Sequence, residues 1–228
     1  MSYQSKWVKC IGSAVAGLAL ALSAQSLVAD NGAGDSAAED PAIPNAGFDE
    51  LHVNIGADFT RYQTVLIEDP SISFIPRWAN THRNVVNRRE IARLERGIAD
   101  DLKAELVEKL SADGRYRIVE EAEVDTLVIR PEIIDLNVAA PGSRNVQLVD
   151  SAGYATLSLE MVDAFSDLPA LRILDWKRAQ GFSGRDYFMA SRANNAREFR
   201  LMMAAWAERV RLQLDLLSAS EQEEALTP

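Results

Sequence analysis

Apolar and polar positions alternate most cleanly between Tyr154 and Val162, where Ala155, Leu157, Leu159 and Met161 interleave with Tyr154, Thr156, Ser158 and Glu160. A period of two sends one set to a buried face and the other to water, so the stretch predicts a strand. Shorter apolar runs flank it: Leu127-Val128-Ile129 and Ile133 to Val138 before, Leu171 to Leu174 after. Thr126 to Trp176 therefore reads as a β-meander. Leu127 and Ile129 fall on odd positions, whereas Ile134, Leu136 and Val138 fall on even ones, with Pro131 between them. A proline cannot donate to a strand ladder, so a bulge or break is expected near Pro131 and Glu132. The gap from Ala139 to Gly153 carries Pro141-Gly142-Ser143 and predicts a long hairpin connection.

Upstream, Tyr62 to Asp69 is rich in β-branched residues and predicts a strand closed by Pro70. Leu51, Val53 and Ile55 suggest a short edge strand, and Ile72 to Trp78 either an extended edge piece or a loop over the core. Asn87 followed by Glu90 has the spacing of a capping box. Ile91, Leu94, Ile98, Leu102, Leu106 and Leu110 then recur every three or four residues as one apolar stripe, stopped by Asp113-Gly114. Arg115 to Val119 starts the next strand. Gly181 to Met189 reads as a loop, and a second helix is expected from about Asn194 to Leu217. Its stripe comprises Phe199, Met202, Met203, Trp206, Val210, Gln213 or Leu214, and Leu217. The pattern predicts an α+β domain of two layers, a mostly antiparallel sheet packed against two long helices.

The chain of 228 residues divides by composition. Lys6 and Lys9 precede an apolar run from Ile11 to Leu22 and small residues at Ala24, Ser26 and Ala29, the pattern of a secretory signal peptide over residues 1–29. An uncleaved membrane anchor is the alternative, on a run slightly short for a spanning helix. Residues 30–50 read as a flexible acidic tether, 51–218 as a single domain and 219–228 as a disordered acidic tail. The single cysteine, Cys10, lies inside the leader, so disulfides and thiolate chemistry are excluded from the mature protein. Losing Lys6 and Lys9 takes the net charge from −10 to −12. So acidic a chain argues against general affinity for nucleic acid. The expected compartment is the periplasm, with outer-membrane association left open and no stable membrane anchor once the signal is cleaved.

Candidate chemistry is sparse. His52 and His82 lie thirty residues apart without carboxylates at ligand spacing, so no metal and no cofactor are expected. Ser183 lacks the glycine pattern of a nucleophile elbow, and no spacing selects a pair among Asp100, Asp101, Glu132, Asp135 and Asp163. No enzyme activity is expected. The most distinctive feature is cationic: Arg83, Arg88, Arg89, Arg93 and Arg96 gather at the start of the first helix, and Arg89, Arg93 and Arg96 share a face. They suggest a surface for an anion or partner. The alternative is a solvated face balanced by Glu90 and Glu95. Phe74, Trp78, Tyr187 and Phe188 lie off the periodic faces and are candidate exposed aromatic contacts.

The order and spacing of several pieces resemble a family of exported bacterial envelope lipoproteins known as a domain of unknown function. The pieces are Tyr62 to Ile67, Leu102 to Leu110 running into Tyr116-Arg117-Ile118-Val119, Asp125 to Ile129, Gly153 to Asp163, and Phe199 to Leu217. No lipidation cysteine follows the apolar run here, and the turn Ala164 to Ala170 is longer than a tight glycine hairpin. The layout is also similar to small α+β domains of envelope assembly and activator lipoproteins, which act by contact with other proteins. With no catalytic motif in the sequence and these likenesses beside it, the expectation is a non-catalytic interaction protein of the periplasm or cell envelope, accessory to an envelope assembly and meeting an envelope protein partner. The alternative is a small-ligand or anionic lipid or glycan module using the Arg83 to Arg96 face. The sequence leaves the oligomeric state open.

Overall fold

The computed structural model describes residues 7–11, 43–139, 147–180 and 187–226. In chain order its elements are β1 (Trp7–Ile11), β2 (Glu50–Asn54), β3 (Thr64–Ile67), β4 (Ser71–Phe74), α1 (Trp78–Thr81), α2 (Arg88–Ser111), β5 (Arg117–Val119) and β6 (Thr126–Val138). They continue with β7 (Gln147–Val149), β8 (Gly153–Asp163), β9 (Pro169–Ala179), β10 (Phe188–Ala190) and α3 (Arg192–Leu226).

The alternation around Ala155 places β8 mid-sheet, with β6 on one side and β9 on the other, both antiparallel. The main sheet runs β1-β2-β9-β8-β6-β3-β5 and is mostly antiparallel, in an α+β arrangement of two layers as the pattern predicts. Parallel pairings add to the meander. β3 lies parallel to the first half of β6, β4 parallel to its second half, and β5 parallel to β3 after the α2 crossover. Such a crossover needs a helix, which the capped stripe from Asn87 supplies.

The expected break at Pro131 does not occur. Pro131 pairs with Leu159 inside a continuous strand. On the other side of β6, β3 reaches only to Ile129 and β4 begins only at Glu132, so the missing N–H falls in the gap between two partners. The switch of parity sits instead at Asp135, which takes φ 53 where the register of β6 against β8 shifts between Ile134 and Asn137. That bulge turns Leu136 and Val138 inward after Ile129 and Ile133. Opposite it, Gly153 has φ 140, and a Cβ there would lie 1.8 Å from the Asn137 carbonyl oxygen, so the strands can close only over glycine.

One sheet face is covered by α2 and α3. Ile98, Leu102, Leu106 and Leu110 of α2 and Phe199, Met203, Trp206, Val210, Leu214 and Leu217 of α3 are buried against Leu127, Ile133, Leu157, Leu159 and Ile173. The helix predicted to stop at Leu217 continues to Leu226. Ser218 is buried and donates to the Leu214 carbonyl at 2.9 Å, and no helix breaker follows before Pro228. Polar groups tie this layer down. Trp206 Nε1 donates to Asp175 Oδ2 at 2.7 Å, and Arg209 lies 3.3 Å from the same oxygen. Gln213 accepts from Ala46 N and donates to the Pro44 carbonyl, both at 2.8 Å. The last part of the predicted tether is thus packed from Pro44 onward, with Phe48 buried.

One further expectation changes. Trp78, expected as an exposed contact, is 2% exposed: its indole stacks on Phe74 at 4.3 Å and donates to the Val138 carbonyl at 3.3 Å. An apolar ring off the helical stripe was free to fill the core from α1. Trp7–Ile11, inside the predicted leader, lies antiparallel along β2, with Val8 opposite Val53 and Lys9 2.9 Å from Glu50.

Candidate functional site

α2 and α3 run parallel, side by side. Successive ion pairs mark the register, from Arg192–Glu90 at 3.4 Å through Arg200–Asp101 at 2.8 Å to Arg211–Asp113 at 3.7 Å. Both helices therefore begin at the same end of the molecule, where β6 finishes at Val138. A helix start carries roughly half a positive charge, and two parallel ones add. The start of α2 is sharply defined. Asn87 Oδ1 accepts from Arg89 N at 3.0 Å and Glu90 N at 3.1 Å, while Asn87 N donates to Glu90 Oε2 at 3.1 Å.

Arg83, Arg88, Arg89, Arg93 and Arg96 are all exposed at this end. Among the described residues none of the five side chains forms an ion pair within 4.0 Å. Glu90, the nearest candidate to neutralise them, is engaged by the cap and by Arg192. Most of the other described arginines are paired, Arg130 with Glu68, Arg172 with Glu160 and Arg178 with Asp150, for example, although Arg77 and Arg197 are also exposed without an ion pair.

Between the two helix starts lies a cavity of ≈ 230 Å³. Val86, Leu94 and Ile98 form one wall, Ala196 and Phe199 the other, and Val138 closes the floor, with Arg93, Arg192, Glu90 and Asp101 lining it as well. Leu94, on the stripe expected to be core, is only half-buried because it faces this space. Gly97 also lines it, and a Cβ at Gly97 would meet no atom within 4 Å. Asn195 is 5% exposed. Its Nδ2 donates to the Ala139 carbonyl at 2.8 Å, but its Oδ1 is buried without a partner, as is Oε2 of the buried Glu198 one turn on.

The other predicted contacts divide. Tyr187 is 63% exposed beside this end, Phe74 is half-buried under Trp78, and the side chain of Phe188 lies outside what the structure describes. Leu148 and Met189 stand directly opposite each other on the small β7–β10 sheet, 70% and 56% exposed. Ser183 lies outside the described residues. His52 approaches Glu50, and His82 Nδ1 donates to the Trp78 carbonyl, 2.9 Å away. Among the described residues there is no cluster of three metal-ligating side chains, and no helix is long and apolar enough to cross a membrane. Sequence reading picked out the arginines but missed Gly97 and Asn195. A lone glycine inside an otherwise strong helix was the available signal for the first. Nothing local marks the second.

No protein-family model matches the chain, and no curated protein does. Among solved structures the chain is similar to the PelC dodecamer from Paraburkholderia phytofirmans, at 11% identity over 70% of this chain and 96% of that one, with a TM-score of 0.39. It is also similar to protein XCC0632 from Xanthomonas campestris, of family DUF330, at 11% identity over 81% of this chain and 93% of that one, with a TM-score of 0.42. Likeness at this level assigns neither family nor function.

Proposed function

We propose that the protein is a non-catalytic, exported binding protein of the cell envelope that engages an anionic partner at the end where α2 and α3 begin. The observation that carries this reading is the set of five exposed arginines without carboxylate partners beside two parallel helix starts. The chain as a whole bears a net charge of −10. An anionic surface is therefore repelled by most of the molecule and attracted by this end, which orients the encounter. The leader-like pattern of residues 1–29 supports the compartment.

Sedimentation with lipid vesicles tests the reading. Phosphatidylglycerol vesicles should carry the protein down and phosphatidylcholine vesicles should not, with binding weakening as salt shortens the ~10 Å screening length. Arg88→Glu/Arg89→Glu should reduce binding at least tenfold. Binding insensitive to both salt and charge reversal would overturn the proposal. Contact with another envelope protein is a second reading, favoured by the exposed Leu148–Met189 pair with Tyr187 alongside. Under that reading Leu148→Asp abolishes capture of one partner while vesicle binding persists.

A further inference from the structure

We infer that the cavity between α2 and α3 holds the acyl chain of a single-chain glycerophospholipid, with its phosphate at Arg93. This deepens the proposed function and rests on the helix-start end being an anion-binding surface.

Gly97 is the first argument. It is the single glycine in either long helix, in the middle of residues that favour helix, and it costs α2 about 1 kcal/mol relative to alanine. Close packing does not require it, since nothing lies within 4 Å of where its Cβ would stand. What its missing side chain does provide is open volume in the groove. The second argument is the shape and lining of that volume. At ≈ 230 Å³ it is smaller than the ~300–1,000 Å³ of pockets that enclose drug-sized molecules. Being below that range, it suits part of one chain better than the two of a diacyl lipid. Its walls at Leu94, Phe199 and Val138 are apolar.

The head group follows from what the rim leaves unmet. Arg93 lines the cavity with no carboxylate partner among the described residues, whereas Glu90 and Asp101 on the same lining are paired with Arg192 and Arg200, and the positive charge left over calls for an anion. Asn195 lines it with a buried acceptor lacking a donor, which calls for a hydroxyl. A glycerophosphate head has both; the ionised head of a free fatty acid has only the first.

The test is calorimetric titration of the full chain with monomeric lysophosphatidylglycerols of increasing chain length, each below its micelle concentration. Affinity should rise about fourfold per methylene, the ~0.8 kcal/mol of a buried CH₂, and level off once the groove is filled. Gly97→Leu should fill the groove and lower affinity at least tenfold while unfolding no earlier than wild type. If that variant fails to fold, Gly97→Ala serves, with a stronger helix and a smaller loss of binding. Arg93→Gln should lose at least tenfold and flatten the salt dependence. A fatty acid of equal chain length should bind more weakly, and Asn195→Leu should erase that difference. Equal binding of the fatty acid overturns the head-group assignment, and unchanged affinity in Gly97→Leu overturns the site. If lysolipid does not bind but anionic vesicles still do, the groove inference fails and the proposed function stands. If neither binds, both fail.

Discussion

Asp163 ends β8, a place where a carboxylate usually meets water, yet it is 5% exposed. Burial alone would raise its pKa. Hydrogen bonds from Ser166 N at 2.7 Å, Ser166 Oγ at 2.8 Å and Tyr62 Oη at 3.1 Å, with the Arg61 guanidinium in contact, outweigh that and hold it below the ordinary 3.8. A depressed folded value means that Asp163 stabilises the fold above the unfolded pKa and that the contribution is lost as pH falls through the folded one. Asp163→Asn should therefore be less stable at neutral pH and show a shallower loss of stability below about pH 3.8, read from urea midpoints across an acid series. Asp175 has the opposite sign. Burial raises its pKa against the hydrogen bond from Trp206 and the charge of Arg209, so its contribution is full at low pH and declines as pH rises through the raised value. Of these two buried carboxylates, Asp163 is the one that favours loss of the fold in acid.

Helix α2 owes its sharp beginning to a reciprocal cap, and the arginines of the candidate site stand on its first turns. Asn87→Ala should lower stability by about 1 kcal/mol. It should also speed amide exchange at Ile91, whose N–H reaches the Asn87 carbonyl at 3.0 Å, without changing protection at the Leu102 turn. This cap was readable from Asn87 and Glu90 alone, as were the stripes of both helices and the alternation of β8, because each is a local pattern with its own period. The bulge was misplaced because Pro131 is harmless only by virtue of where β3 ends and β4 begins, a fact about two other strands. Trp78 was misread because a short helix gives no periodicity to show which way an indole turns. The cavity was invisible for a related reason. It exists because α2 and α3 lie parallel, and nothing in either stripe states the direction of its neighbour. Only the arginines could be picked out beforehand, since charge is legible without geometry.

At the scale of the molecule, the α3 layer joins parts of the chain that are far apart. Gln213 holds Pro44 and Ala46, Ser218 Oγ lies 3.3 Å from the Phe59 carbonyl oxygen, and Trp206 reaches Asp175, which accepts from Asp49 N at 3.1 Å. Ending the chain at Leu201 removes Trp206, Val210, Leu214 and Leu217 and uncovers a large part of the sheet. Such a fragment should lose its cooperative thermal transition in calorimetry and gain binding of a hydrophobic dye, whereas ending it at Ser220 should preserve both the transition and the midpoint to within a few degrees. The same arrangement has a consequence in time. A chain is made from its first residue onward, and here the cover for the first strands is among the last pieces to appear. Until α3 emerges, Leu51, Val53 and Phe59 have no roof to fold beneath. The layer is complete only once the last helix has been made, so synthesis runs nearly to its end before the core can close.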